Sequence, residues 1–251
     1  MVEKKPKISA IIQARMGSTR LPGKVLMEIC GKPVLGHIVE RLRFSKLIDQ
    51  IILAVPDTKE NDALEAFAAK NSIACYRGSE NDVLERMYLA AQENGCAVVV
   101  EVTGDKPLID PKLIDVAISR HLNVKSKHSF TYYPSDFLPI GLDAGIINVE
   151  ALQLAYKNAT KERNREHVTS YFYENSDKFA LTSFQLPLHL KNPGLRLTLD
   201  TKEDFELINA IYVKLYKEGD IFTTKEILDL CKARPELKKI NAHVIQKTIH
   251  A

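Results

Sequence analysis

Ile8-Ser9-Ala10-Ile11-Ile12-Gln13-Ala14, followed by Arg15-Met16-Gly17-Ser18-Thr19-Arg20-Leu21-Pro22-Gly23-Lys24, is the stretch on which the fold turns. The first seven residues are a nearly continuous apolar run, as expected of a strand buried on both faces. The next ten hold three cations, two hydroxyls and two glycines. A loop of this kind, just beyond a buried strand, stands where open α/β sheets bind ligands. Glycines let backbone N–H groups approach phosphate oxygens, arginine brings forked donors, and lysine brings a compact charge. A solvated basic loop is the bland alternative. Two common phosphate motifs fail on spacing: five residues separate Gly17 from Gly23, Val25 follows Lys24, and there is no GxGxxG.

Outward from this stretch, short apolar runs alternate with helical patterns. Val34, Leu35, Ile38, Val39 and Leu42 form one stripe behind Pro33. Residues 51–55 read as a second strand, with a helix around Ala63, Leu64, Phe67 and Ala68. A short strand at 73–76 leads to Ser79-Glu80-Asn81-Asp82, read as a capping box, and to a helix that stops at Asn94-Gly95. Residues 97–102 are the most β-branched strand, and Asp110 caps a helix with Pro111 at its first position. Four strand–helix alternations predict an α/β fold with a doubly wound, mainly parallel sheet and helices on both faces.

The rhythm breaks in the middle third. Between 125 and 190 aromatics thicken, and helical patterns near 149–158 and 165–175 sit among strand-like pieces. This segment is expected to be an inserted arm on the acceptor side and a homodimer surface, with packing inside one domain as the alternative. Leu195-Arg196-Leu197-Thr198-Leu199 returns to strict alternation and predicts a half-buried strand ending at Asp200. Thr201 and Asp204 then open a long helix, and a last helix at 224–233 precedes a Lys-rich tail. Residues 1–251 are read as a single domain.

Composition narrows the function. The 251 residues carry 35 Lys and Arg against 32 Asp and Glu, a net charge of +3, which argues against a nucleic-acid partner held by bulk electrostatics. Four cysteines without a CxxC pair read as buried free thiols rather than a disulfide or zinc framework. The basic N-terminus precedes only a short apolar run at 8–12, unlike a signal peptide, and no run reaches the ~18 residues of a membrane span. A cytoplasmic protein without membrane partners is expected.

Two acids stand at strand ends: Asp105 in Thr103-Gly104-Asp105-Lys106-Pro107, and Asp200. Side chains so placed can converge on one magnesium ion, which favours a carboxylate or two together with phosphate oxygens and water. A helix-cap role is weak for Asp105, because Asp110 already takes that position, and stronger for Asp200.

The motifs from Ile12 to Lys24, Thr103 to Asp110, Arg165-Glu166-His167-Val168-Thr169 and Leu199-Asp200-Thr201-Lys202-Glu203-Asp204 resemble, in order, the cytidylyltransferases that make CMP-activated acid sugars. These are the CMP-KDO and CMP-acylneuraminate synthetases, and the nearest branch is the spore coat polysaccharide biosynthesis protein F type. The resemblance spans about residues 8–217, with a typical tail at 235–243. It implies a Rossmann-like nucleotide-diphospho-sugar transferase fold, CTP and a small sugar as substrates, magnesium as cofactor, and a homodimer. It places Arg15, Ser18, Arg20 and Lys24 on the triphosphate, with Arg15 and Lys24 nearest the reacting phosphate. Backbone groups of Gln13 and Ala14 would read the base. Arg77, Asp82, Arg86 and Thr103 fall on the nucleotide side, Asp105 and Asp200 on the metal, and His167 and Glu166 on the acceptor. Asp105 joins Arg15 and Lys24 in the catalytic set. Lys106 and Thr103 depart from other branches, where an acidic or small residue and a base-contacting Gln are usual. A glycosyltransferase is the main rival, but no two aspartates are separated by a single residue. A transferase using UTP or GTP with a sugar phosphate, and a non-catalytic nucleotide-binding protein, are the others.

Overall fold

The computed structural model of the chain describes residues 5–134 and 136–246. Residues 1–4 of the basic N-terminus lie outside them. The strands are β1 (Ile8–Gln13), β2 (Glu28–Ile29), β3 (Lys32–Pro33), β4 (Gln50–Pro56), β5 (Ala74–Gly78), β6 (Val98–Thr103), β7 (Ser129–Tyr132), β8 (Gly145–Asn148) and β9 (Ala180–Ser183). The helices are α1 (Val34–Arg43), α2 (Asp62–Lys70), α3 (Val83–Glu93), α4 (Pro111–His121), α5 (Val149–Asn158), α6 (Glu162–Glu166), α7 (Ser170–Glu174), α8 (Lys202–Leu215), α9 (Thr224–Ala233) and α10 (Pro235–Lys239).

Seven strands form one sheet in the order β5-β4-β1-β6-β8-β7-β9. β5, β4, β1 and β6 are parallel, β8 runs against both β6 and β7, and β9 is parallel to β7. The alternating side-chain directions of the strands feed two cores. Ile8, Ala10 and Ile12 of β1 pack with α1, α4 and α8, whereas Ile11 packs with α3, α5 and Phe172 of α7. The sheet is therefore doubly wound, and the ends of β1 and β6 lie side by side, with Gln13 paired to Thr103.

Local signals account for most boundaries. Asp110 Oδ1 accepts the Lys112 N–H at 2.9 Å, capping α4 behind Pro111. Thr201 and Asp204 close a reciprocal capping box on α8, and Thr223 and Glu226 do the same on α9. At α3 the expected box shifts by one turn. Asp82 is the cap, accepting the Glu85 N–H at 2.8 Å, while Ser79 Oγ accepts the Asp82 N–H at 3.0 Å in the turn before it.

The segment expected as an arm, 125–190, contributes β7, β8 and β9 to the main sheet. Its Phe130, Phe172 and Phe179 are buried in the core shared with β1 and α3. The helical pattern at 165–175 divides into α6 and α7, because Ser170 Oγ bonds back to His167 O and Asn164 Oδ1, each at 2.7 Å. The break leaves His167 in extended backbone. Of the four free cysteines only Cys231 is buried, and Cys30 is exposed. The Lys-rich tail carries α10, which the sequence reading missed.

The strand expected at 195–199 is replaced by an extended segment with one isolated bridge, Ile140 to Arg196, and all five of its residues are buried. The odd-numbered leucines enter the core, while Arg196 and Thr198 find polar partners instead of water. Its backbone bonds to two neighbours: Leu197 N–H to Ile140 O at 2.7 Å, and Leu199 N–H to Asp105 O at 2.8 Å. Gly141 permits this approach. Its φ is +97°, and a Cβ there would lie 2.6 Å from the Thr198 nitrogen. Gly141→Ala is expected to cost about 2 kcal/mol or more, a melting-temperature fall of about 4–8 °C by calorimetry.

Candidate active site

The basic loop is closed on itself. The Met16 carbonyl accepts N–H bonds from Ser18 at 2.9 Å and Gly23 at 3.0 Å, with Gly23 at φ +69°. The Met16 N–H donates to Asn61 Oδ1 at 2.9 Å, and Asn61, fully buried, is held in turn by Thr58. Leu21 N–H reaches Ser18 Oγ at 3.4 Å. Val25, buried in the core, pins the short helical turn that begins at Lys24.

Lys24 then joins the two strand-end acids. Its Nζ donates to Leu199 O at 2.6 Å and Asp200 Oδ1 at 2.8 Å, and stands 3.6 Å from Asp105 Oδ2. Asp200 Oδ2 also meets Arg20 at 2.9 Å and Arg196 at 2.8 Å. Burial works against the Asp200 anion, but Lys24, Arg196 and Arg20 together hold its carboxyl below the ordinary value of 3.8. The stability this contributes is complete above that value and is lost as the pH falls through the lower folded one. Thr103 Oγ1 donates to Asp105 Oδ1. The docking of Leu199 on the Asp105 backbone brings the two acids together, although nearly a hundred residues separate them along the chain.

Beside this cluster opens a cleft of about 440 Å³. Gln13, Thr103, Asp105, Asp200, Glu166 and His167 all line it, so nucleotide-side, metal-side and acceptor-side expectations meet in one space. His167 reaches the wall from the break between α6 and α7.

Other expected residues stand apart from the cleft. Arg77 is bound by Asp57, Asp62 and Glu65 at 2.6–3.0 Å, and Glu65 and Asp62 lead in raising its pKa. Asp82 caps α3 and faces Arg165 at 3.2 Å. Arg86 is buried, donates to Ser79 O, and is pulled down to about 10 by burial and then by the nearby charge of Arg15. Arg15 itself is exposed. The Ala14 N–H bonds to Ala54 O, and Gln13 O accepts from Gly104, so both are engaged within the sheet.

Sequence reasoning gave no site role to Arg196, Asp204, Glu101 or Asp143. Arg196 and Glu101 carry a signal, a charge inside an apolar strand pattern; Asp143 carries none. Among the described residues no three His, Cys, Asp or Glu side chains converge as a metal cage. Asp105 and Asp200 nevertheless share one cation, the Lys24 ammonium, and their hard oxygen donors suit magnesium completed by phosphate and water.

Residues 9–239 match the protein-family model for cytidylyltransferases. The spore coat polysaccharide biosynthesis protein SpsF of Bacillus subtilis is 34% identical over 231 residues, 90% of this chain and 94% of its own length. A 3-deoxy-manno-octulosonate cytidylyltransferase of Geobacter metallireducens is 38% identical over 113 residues, 45% of this chain and 44% of that protein. The solved structure of a cytidylyltransferase from Leptospira borgpetersenii superimposes with a TM-score of 0.87 at 29% identity, over 98% of this chain and 100% of that one.

Proposed function

The chain belongs to the cytidylyltransferase family, CTP-dependent nucleotidyltransferases, and from that premise we propose that it joins CTP to a sugar acid, giving a CMP-sugar for polysaccharide synthesis and pyrophosphate. The observation that carries the reading is Lys24 held between Asp105 and Asp200 at the cleft, under a closed basic loop. The acceptor hydroxyl oxygen forms a bond to the α-phosphorus as the bond to the β-phosphate oxygen breaks. Arg15, Arg20 and Lys24 hold the triphosphate and stabilise the charge that develops on the transferring and leaving phosphates. Arg20 and Lys24 exchange Asp200 for phosphate oxygens, which frees the two acids to hold magnesium. When bound, magnesium supplies charge neutralisation and phosphate alignment. His167 and Glu166 form the acceptor wall, and the hydroxyl proton passes to bulk water at the mouth of the cleft. The acid of the octulosonate enzymes is the first acceptor to try. A homodimer through 125–190 belongs to the same reading and rests on resemblance alone. No helix among the described residues is long and apolar enough to cross a membrane.

Thermal shift with CTP, UTP, GTP and ATP, each with and without magnesium, tests this directly. CTP at ~100 times its dissociation constant is expected to add about 2.7 kcal/mol, roughly 5–10 °C, and the other nucleotides much less. Lys24→Ala should lose most of that shift. A larger response to UTP or GTP overturns the cytidylyl assignment, and an unchanged CTP shift in Lys24→Ala removes the lysine from the phosphate site.

A further inference from the structure

Phosphate and metal binding have no use for Glu101. It stands on β6 two residues before Thr103 and lines the same cleft. Space has been cleared for it: its partner on β8 is Gly145, where a Cβ would lie 2.9 Å from Glu101 Oε2 and 3.1 Å from the Phe130 ring. Glu101 Oε1 accepts from Gln13 Nε2 at 3.2 Å. Phe130, Tyr132 and Tyr173 also line the cleft and contact one another, with centroid separations of 5.7 Å (Phe130 to Tyr132), 5.5 Å (Phe130 to Tyr173) and 5.3 Å (Tyr132 to Tyr173). Phe130 is a buried backing, while Tyr173 is 44% exposed.

The only Lys or Arg among the lining residues described is Lys106, and it is already committed. Its Nζ donates to Asp143 O at 3.0 Å and Asp143 Oδ2 at 2.9 Å. Glu101 is thus a carboxylate in an aromatic recess, with the nearest ammonium neutralised by another acid. Burial pushes its carboxyl up to about 7, with the charge of Lys106 and then the Gln13 hydrogen bond working against the rise and Asp143 adding to it.

We propose that Glu101, with the wall of Phe130, Tyr132 and Tyr173, forms a subsite for a protonated amine on the acceptor, which makes the substrate an amino sugar. The inference rests on the transferase reading and refines its acceptor. An ammonium there donates a charge-assisted hydrogen bond to Glu101 and is attracted to the ring faces. A hydroxyl at the same place gains only a neutral bond, and a carboxylate is repelled.

Two matched pairs of probes test it: 8-amino-3,8-dideoxy-manno-octulosonate against 3-deoxy-manno-octulosonate, and D-glucosamine against D-glucose. Each is titrated calorimetrically into protein saturated with magnesium and α,β-methylene-CTP. The amine member of at least one pair is expected to bind at least tenfold tighter. That preference should fall below threefold in Glu101→Gln, which keeps the side-chain shape, and should weaken in Tyr173→Leu. Equal affinities within both pairs, no binding of any of the four, or a preference that survives Glu101→Gln would overturn the amine subsite. Nucleotide binding, read in a separate titration of α,β-methylene-CTP and magnesium into the free protein, separates the two proposals: if it is present, the transferase reading stands without the amine, and if it is absent, that reading fails as well.

Discussion

Asp105→Asn is expected to lower kcat/KM for pyrophosphate release by about 10²–10³-fold while leaving the melting temperature within about 2 °C of the parent. The separation of the two effects follows from which atoms of Asp105 do what. Its backbone carbonyl carries the structural load, accepting the Leu199 N–H at 2.8 Å and the Thr198 hydroxyl at 3.3 Å, and the substitution leaves it in place. Its side chain is a quarter exposed and, among the described residues, meets Thr103 and, at 3.6 Å, Lys24. Asparagine keeps the volume and one acceptor oxygen, so the fold loses little. The site loses one of the two negative charges that share the Lys24 ammonium, and with it one of the four carboxylate oxygens expected to hold magnesium. Steady-state pyrophosphate release measured across a magnesium series is the check. Parental rates would remove Asp105 from the site, and a fall of more than 5 °C in melting temperature would make its side chain structural.

The closed basic loop and the parallel half of the sheet were legible because their signals are local. An apolar run marks β1, a cap with proline marks α4, and the loop between Gly17 and Gly23 announces itself by composition. The acid pair was legible only in part. Asp105 and Asp200 each end an apolar pattern, but their meeting depends on 195–199 docking against the Asp105 backbone, which no local spacing reveals. That same segment shows how period two misleads. Leu-Arg-Leu-Thr-Leu reads as one wet face and one dry face, yet Arg196 and Thr198 are as buried as the leucines because buried polar partners replace water. Glu101 illustrates the same blindness. A charge inside Val-Val-Val-Glu-Val is visible in sequence, but the recess that receives it exists only because Gly145 lies opposite on an antiparallel neighbour. The short strands between 129 and 183 showed only as strand-like pieces without bounds or pairing, for a related reason. Four residues carry little periodic signal, and their pairing is long-range.

Asp204→Asn is expected to cost about 3–5 kcal/mol and lower the melting temperature by about 10 °C. Sequence spacing showed Asp204 as half of a capping box; the fold gives it far more to do. The side chain is 0% exposed, and five donors converge on it. Oδ1 accepts from Arg196 Nε at 2.9 Å and Asn241 Nδ2 at 2.8 Å. Oδ2 accepts from the second Arg196 nitrogen at 3.0 Å, the Asp200 N–H at 2.9 Å and the Thr201 N–H at 3.1 Å. Asparagine must turn an NH₂ toward one of these groups of donors, leaving a buried guanidinium or the head of α8 without its acceptor. The loss spreads to the site, because Asp204 fixes the Asp200 backbone and shares Arg196 with its carboxylate. Turnover is therefore expected to fall together with stability, the opposite of the Asp105 result. Calorimetry and pyrophosphate release on the two variants side by side distinguish a residue that meets substrate from one that holds such a residue in place. A melting temperature within 2 °C of the parent for Asp204→Asn would show that the five donors find other partners, and that Asp200 is positioned by Lys24 and Arg20 alone.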